Sequence, residues 1–310
     1  MNKLIGHLVG IISAVALVAH TLMLSTFLFT FIIMRFCMPS ARLKRWVNTS
    51  IVLVATTWIE GILFWINWVY QPKWHIEGVK DIQPNDWYLI TANHQSWVDI
   101  FVLYHIYLNK APILKFFIKK ELAYVPIVGQ AWWALDFPFM RRYSKAYLEK
   151  HPEKAGEDIV ETKQACEKFS HVPTSVMNFM EGTRFTPEKH AHQKSPYQHL
   201  LKPKAGGIAF TIQALGDKFS SLNNVTIVYP DKAPSFWDLM CGRIDEIIVH
   251  VEDLPIPKQF TEGDYQTDQA LRKEIQSWVS NLWNQKDKQI SALLREHEAR
   301  KSLSRHDLIR

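Results

Sequence analysis

The pattern of apolar and polar positions divides the chain into an apolar start, an alternating middle and a helical end. From Leu8 to Met34, 27 residues pass without an Asp, Glu, Lys or Arg. At about 1.5 Å per residue, a helix of that length reaches roughly 40 Å, more than the roughly 30 Å hydrocarbon core of a bilayer. It is also longer than the apolar region of a signal peptide. A second run, Val47 to Tyr70, is interrupted by Glu60, Gly61 and Asn67 and crowded with Trp58, Trp65, Trp68 and Tyr70. Such rings favour the headgroup level, so this run either spans or lies in the interface; a buried core helix is the alternative.

Beyond Pro72 the apolar runs shorten. Trp87–Thr91, Ser175–Met180, Val225–Tyr229 and Glu246–Val251 read as strands, separated by helical stretches at about 97–109, 144–170 and 204–215. Strands alternating with helices predict an α/β sheet with its site at the strand ends. Leu271, Ile275, Trp278, Val279 and Leu282 recur at helical spacing and predict a docked helix, followed after Leu294 by a charged helix or tail. The expected organisation is a two-helix membrane anchor over 1–70, an α/β domain over 71–260 and a C-terminal helix with its tail over 261–310.

Composition sharpens this picture. At 47% hydrophobic the chain is too apolar to be disordered. The net charge of +6 is concentrated at the start, where Lys3, Arg35, Arg42, Lys44 and Arg45 face Glu60 alone in the first 70 residues. Basic residues beside apolar runs suit anionic lipid headgroups better than nucleic acid. A cytoplasmic Arg35–Arg45 loop then shares a side with the rest of the chain if the two helices form a hairpin in one leaflet. Two full spans would separate them. Cys37, Cys166 and Cys241 are too scattered for a disulfide framework or zinc site, which fits a reducing compartment.

Candidate chemistry begins with Asn93-His94-Gln95-Ser96-Trp97-Val98-Asp99, where a strand ends and a helix should begin. Histidine suits general-base work near neutral pH, and a carboxylate can hold its tautomer and stabilise the imidazolium. Five residues apart within one helix, the two would point about 140° apart. With His94 in the preceding turn and Asp99 in the first helical turns, they can meet. In a chain with 13 His the spacing alone is close to chance. Glu181-Gly182-Thr183-Arg184 follows another strand and puts a flexible turn and a phosphate-shaped cation at its carboxyl end; a surface Glu181–Arg184 pair is the plain alternative. Arg141-Arg142 and Lys202-Pro203-Lys204-Ala205-Gly206-Gly207 offer further cations and backbone for an anionic group. His190, His192 and His199 could be set around a metal, but Lys189 and Lys194 suit a solvated loop better.

Taken in order, these blocks, with Lys119-Lys120-Glu121-Leu122-Ala123-Tyr124-Val125-Pro126-Ile127-Val128-Gly129, Phe139-Met140-Arg141-Arg142 and Val228-Tyr229-Pro230, resemble the 1-acylglycerol-3-phosphate acyltransferase (PlsC-like) family. The resemblance covers roughly residues 70–250 and looks closest to the bacterial YihG-type acyltransferases and related animal lysophosphatidate and lysocardiolipin acyltransferases. It implies an α/β fold with a mixed sheet flanked by helices, and an O-acyltransferase of phospholipid biosynthesis with no cofactor. The acyl group would pass from acyl-CoA or acyl carrier protein to the hydroxyl of a lysophospholipid, above all 1-acylglycerol-3-phosphate. By the same resemblance His94 is the base and Asp99 its orienting acid, while Arg142, Glu181, Gly182, Thr183, Arg184 and Lys204 bind the acceptor. Pro230 shapes the acyl-donor side, and the catalytic domain works on the cytoplasmic face of a bacterial inner membrane. Two positions depart from the usual pattern: Asp136 stands where Gly is common, and Tyr229 precedes Pro230 where a small aliphatic is usual. A lipid hydrolase or thioesterase is a second reading, but the chain has no Gly-x-Ser-x-Gly elbow. A scaffold without catalysis is a third.

Overall fold

The structure is a computed structural model that describes residues 3–80, 82–140, 147, 150–151 and 172–307. The apolar start forms helix α1 (Lys3–Cys37) and helix α2 (Ala41–Trp65), joined by a tight turn in which Ser40 caps α2 by accepting from the Leu43 amide at 3.3 Å. One π-helical turn, Ile66–Tyr70, extends α2. Both helices are long and apolar enough to cross a membrane. Side chains that a hydrocarbon environment would leave unsatisfied bond across the hairpin: Trp58 Nε1 donates to Thr21 Oγ1 at 3.0 Å and Trp65 Nε1 to Ser13 Oγ at 3.1 Å. Gly61 lets the helices approach, since a Cβ there would lie 2.4 Å from the His20 ring.

The middle of the chain builds a six-stranded sheet. Its strands are β1 (Lys73–Glu77), β2 (Tyr88–Ala92), β3 (Leu114–Phe116), β6 (Ser175–Phe179), β7 (Ser221–Val228) and β8 (Glu246–Leu254), in the order β1-β8-β7-β2-β6-β3. β4 (Ile118–Lys119) and β5 (Phe139–Met140) pair separately. Every neighbouring pair in the large sheet is parallel except β7 with β8, so the sheet is mixed, as expected. β2 is buried along its whole length, which is why Tyr88-Leu89-Ile90-Thr91-Ala92 reads as a continuous rather than an alternating run. Helix α3 (Val98–Tyr107) and the end of α2 cover one face, and the short α4 (Val128–Ala134) packs against the hairpin; α6 (Ala205–Leu215) and the long α8 (Gln269–Asp307) cover the other face. Two further short helices among the described residues are α5 (Pro187–Gln193) and α7 (Phe236–Met240).

Three differences from the sequence pattern have clear causes. β1 lies at the sheet edge with a half-exposed Lys-Trp-His-Ile-Glu sequence, too polar to signal a strand. β7 begins at Ser221, earlier than its apolar part, because Asn223 is bonded by Tyr107 Oη (3.1 Å) and Asp253 (2.9 Å) and can therefore be buried. The buried stripe of α8 continues past Leu282 through Trp283, Lys286 and Ile290. The helix expected over 144–170 falls almost wholly outside the described residues, as do Arg141, Arg142 and Cys166.

Candidate active site

β2 delivers His94 to the carboxyl edge of the sheet, and the turn 93–97 carries the chain into α3 with Asp99 in its first turn. His94 Nδ1 meets Asp99 Oδ2 at 2.8 Å. The same oxygen accepts the amides of Gln95 (2.6 Å) and Ser96 (2.9 Å), in the turn that leads into the helix. Oδ1 accepts the Tyr229 hydroxyl at 2.7 Å. Asp99 is fully buried, and four donors are what make a carboxylate tenable there. Because an ionised carboxylate only accepts, Nδ1 of His94 carries a proton, and in the neutral imidazole Nε2 keeps its lone pair. Burial, and then the Asp99 charge, push the Tyr229 hydroxyl well above its usual range, so it stays a donor.

The loop after β6 clamps the main chain of His94 from both sides. Glu181 Oε1 accepts the His94 amide at 2.8 Å, and the His94 carbonyl accepts the Phe185 amide at 2.7 Å. The imidazole stacks on Phe179 with centroids 3.9 Å apart. Gly182 makes the turn at φ +67°, a conformation that costs glycine little. Glu181, expected to face the acceptor, is fully buried, and its second oxygen accepts the Leu201 amide at 2.9 Å. Its carboxylate thus holds loops together behind the histidine. Burial pushes it up to about 7, against the lowering effect of the His94 and Leu201 amides.

In front of His94 opens a cavity of about 830 Å³. Its wall includes Trp97, Phe101, Phe116 and Met177 from the domain, Ile127 and Ala131 from the segment around α4, and Thr21, Leu24, Ala55 and Trp58 from the hairpin. Gly182, Thr183 and Arg184 complete the wall beside the histidine, with the Arg184 guanidinium 4.7 Å above the Trp97 ring. The Thr183 hydroxyl accepts Lys189 Nζ at 2.8 Å, and the same ammonium holds the Arg184 carbonyl at 2.9 Å. Lys204 is exposed and does not line the cavity, although a Cβ on Gly182 would come within 3.3 Å of its side chain. Pro230 is half-buried after β7 and is likewise absent from the wall. Asp136, at the position where the family often has Gly, has φ +57°, a left-handed turn that Asp tolerates better than most residues. His190 and His199 turn to protein partners, the Tyr197 carbonyl at 2.7 Å and the Ser291 hydroxyl at 2.9 Å.

The family model described as Acyltransferase matches residues 73–229, from the first strand to the tyrosine on Asp99. The chain belongs to the Acyltransferase family. It is 23% identical over 262 residues to the 1-acyl-sn-glycerol-3-phosphate acyltransferase delta of Bos taurus, covering 80% of this chain and 62% of that protein. To the gamma enzyme of Homo sapiens it is 26% identical over 180 residues, 54% of this chain and 43% of the other. The chain thus spans about three fifths or less of these relatives. Among solved structures it resembles the 1-acyl-sn-glycerophosphate (LPA) acyltransferase, PlsC, from Thermotoga maritima, at 15% identity and a TM-score of 0.44 over 86% of this chain and 97% of that one.

Residues that the sequence reading missed include the Tyr229 hydroxyl, the Phe179 ring, Lys189 and the Leu201 amide. Only Tyr229 left a trace, as a bulky hydroxyl-bearing residue at a position where the family has a small one.

Proposed function

We propose that this acyltransferase-family protein transfers a fatty acyl group from a thioester, acyl-CoA or acyl carrier protein, to the free hydroxyl of a lysophospholipid. Its preferred acceptor is 1-acylglycerol-3-phosphate, which gives phosphatidic acid. The observation that carries this reading is a His–Asp pair with a free Nε2 at the wall of a large apolar cavity that also includes an arginine. Nε2 removes the hydroxyl proton as the oxygen attacks the thioester carbonyl, and Asp99 stabilises the imidazolium. Collapse of the tetrahedral intermediate breaks the C–S bond, and the imidazolium or water protonates the thiolate. Arg184 and Lys204 hold the acceptor's phosphate, so that part of the rate comes from positioning. Arg142 is assigned to the same anion on the block resemblance alone. Pro230 helps to shape the donor side through the turn it makes, and the bacterial YihG-type enzymes are the grouping that the block order supports.

The membrane reading is a hairpin seated in one leaflet on the cytoplasmic face of a bacterial inner membrane. Both ends of α1 touch the domain: His7 stacks with Trp237, and Arg35 donates to the Ala134 carbonyl at 3.2 Å. A helix tied to the domain at both ends, with Leu4, Leu8, Val15 and Phe36 exposed along it, suits a bilayer surface better than an independent span. The test is acylation by purified membranes of a panel of lysolipids with both donor types. Release of free fatty acid at one rate with and without lysolipid would identify a hydrolase instead.

A further inference from the structure

Lys189 lies outside the cavity wall and has no part in the reaction proposed above, yet its side chain reaches the turn that forms the wall beside His94. It is the third residue of α5, whose start is capped by Thr186: the threonine hydroxyl accepts the Lys189 amide at 3.3 Å. Pro187 suits the first position of that helix. From there the Lys189 ammonium returns over the preceding loop, donating to the Thr183 hydroxyl at 2.8 Å and to the Arg184 carbonyl at 2.9 Å. No residue of α5 is buried, so this lysine does not serve to seat a helix in the core.

The turn is anchored at both ends by its own main chain. The Gly182 amide donates to the Phe179 carbonyl at 2.9 Å, and the Phe185 amide donates to the His94 carbonyl at 2.7 Å. Between these anchors the described hydrogen bonds of Thr183 and Arg184 go to Lys189 alone. The Arg184 guanidinium has one further contact, 4.7 Å above the Trp97 ring. An arginine holds a phosphate with a planar fork at the end of a long side chain, so the placement of its main chain decides where the fork can reach. Trp97 steadies the head of that side chain, and Lys189 steadies its root. An ammonium offers three donors from one point, which lets it hold two oxygens on adjacent residues. Such charge-assisted bonds are about twice as strong as neutral ones.

We propose that Lys189 is a positioning residue for the acceptor's headgroup: by holding the Thr183 hydroxyl and the Arg184 carbonyl, it fixes the turn from which the guanidinium meets the phosphate. The inference rests on the reading above that Arg184 binds that phosphate. It divides one short loop between two jobs. Lys189 governs how well a phosphorylated acceptor binds, whereas Glu181 and Phe185 hold the His94 main chain for the chemistry. A lysine that only tied a surface helix to a loop would matter equally for every acceptor.

The test uses the full chain in phospholipid nanodiscs, with palmitoyl-CoA as donor. Two acceptors are compared, lysophosphatidate and 1-acylglycerol, which has free hydroxyls and no phosphate. Lys189→Met keeps the length of the side chain and removes its donors. It should raise KM for lysophosphatidate about fivefold and leave kcat within about twofold of wild type. Turnover of 1-acylglycerol should change by less than about twofold, because no phosphate is there to be placed. In an Arg184→Ala background Lys189→Met should add less than about twofold, because the group it positions is gone. An equal loss on both acceptors, a fall in kcat at constant KM, or an undiminished effect on top of Arg184→Ala overturns the proposal. A second readout does not depend on turnover. Exchange of the bonded Gly182 and Phe185 amides, corrected for intrinsic rate, should speed up at least about threefold in Lys189→Met while β2 keeps its protection. Unchanged exchange at both amides, or protection lost across the whole sheet, overturns the positioning role whether or not the wild type acylates lysophosphatidate. A wild type inactive with every lysolipid and donor breaks the functional reading alone.

Discussion

Around His94 the described polar atoms are closely partnered, whereas the hollow that the ring faces is walled mainly by hydrocarbon. Asp99 has four donors, Glu181 has two, and both main-chain atoms of His94 are bonded. The cavity wall, by contrast, is drawn from the hairpin, α3, the segment around α4 and the strand ends, and is chiefly aliphatic and aromatic. Hydrogen bonds have direction and fix an atom to within tenths of an ångström, which suits a proton transfer. Dispersion contacts have none and constrain only volume, which suits a chain whose length varies. One region should therefore control rate and the other should control choice.

The sharpest break of that division is at the base itself. His94→Ala should lower kcat by about 10²–10⁴-fold for every acyl donor, in protein that still folds and binds membranes. Retention of more than about a tenth of wild-type transferase activity would remove His94 from its role. Asp99→Asn, which can present an N–H to Nδ1 and favour the wrong tautomer, should cost about 10²-fold or more in kcat. If acceptor KM changed and kcat did not, Asp99 would not be the orienting group.

Smaller effects sharpen the comparison. Arg184→Ala should raise KM for lysophosphatidate at least about tenfold and matter less for an acceptor without a phosphate; equal losses on both would place the arginine outside the phosphate site. Tyr229→Phe removes one O–H from a buried carboxylate and should lower kcat about tenfold with little change in KM. It leaves Asp99 a stronger acceptor for the imidazolium, so the acid limb of kcat/KM should move to higher pH. No movement would make the tyrosine a packing residue. The mildest change is on the other side of the divide. Ala131→Phe fills part of the cavity and should lower kcat/KM for the longest donors about threefold to tenfold more than for the shortest. A uniform loss across chain lengths would mean that the hollow does not hold the acyl chain.

Much of this site is legible in the sequence, but unevenly. The two apolar helices, the strands β2 and β6 and the strand–turn–helix that presents His94 and Asp99 follow from residues close in sequence. Glu181 was visible as a site residue but its direction was not. In sequence a glutamate beside Gly-Thr-Arg reads as part of a ligand-binding turn, whereas burial and two backbone amides turn it inward. Asp136 shows the converse, a substitution whose sense appears once its backbone angle is known. Lys286 looked like any lysine on a charged helix, and only the docking of α8 on β7 takes it out of solvent.

The sequence alone determined what depends on short-range geometry: apolar runs long enough for a bilayer, a carboxylate within reach of a histidine across one turn, and blocks in the order of a known family. The tertiary structure decided what depends on sheet order. Tyr229 and Asp99 meet across 130 residues, and Glu181 and the His94 amide across 87. Backbone sterics leave a turn of five residues few conformations, so its side-chain reach can be read in advance. Contacts at those separations exist only because β2 lies between β6 and β7, and that arrangement is a property of the packed sheet rather than of any one segment.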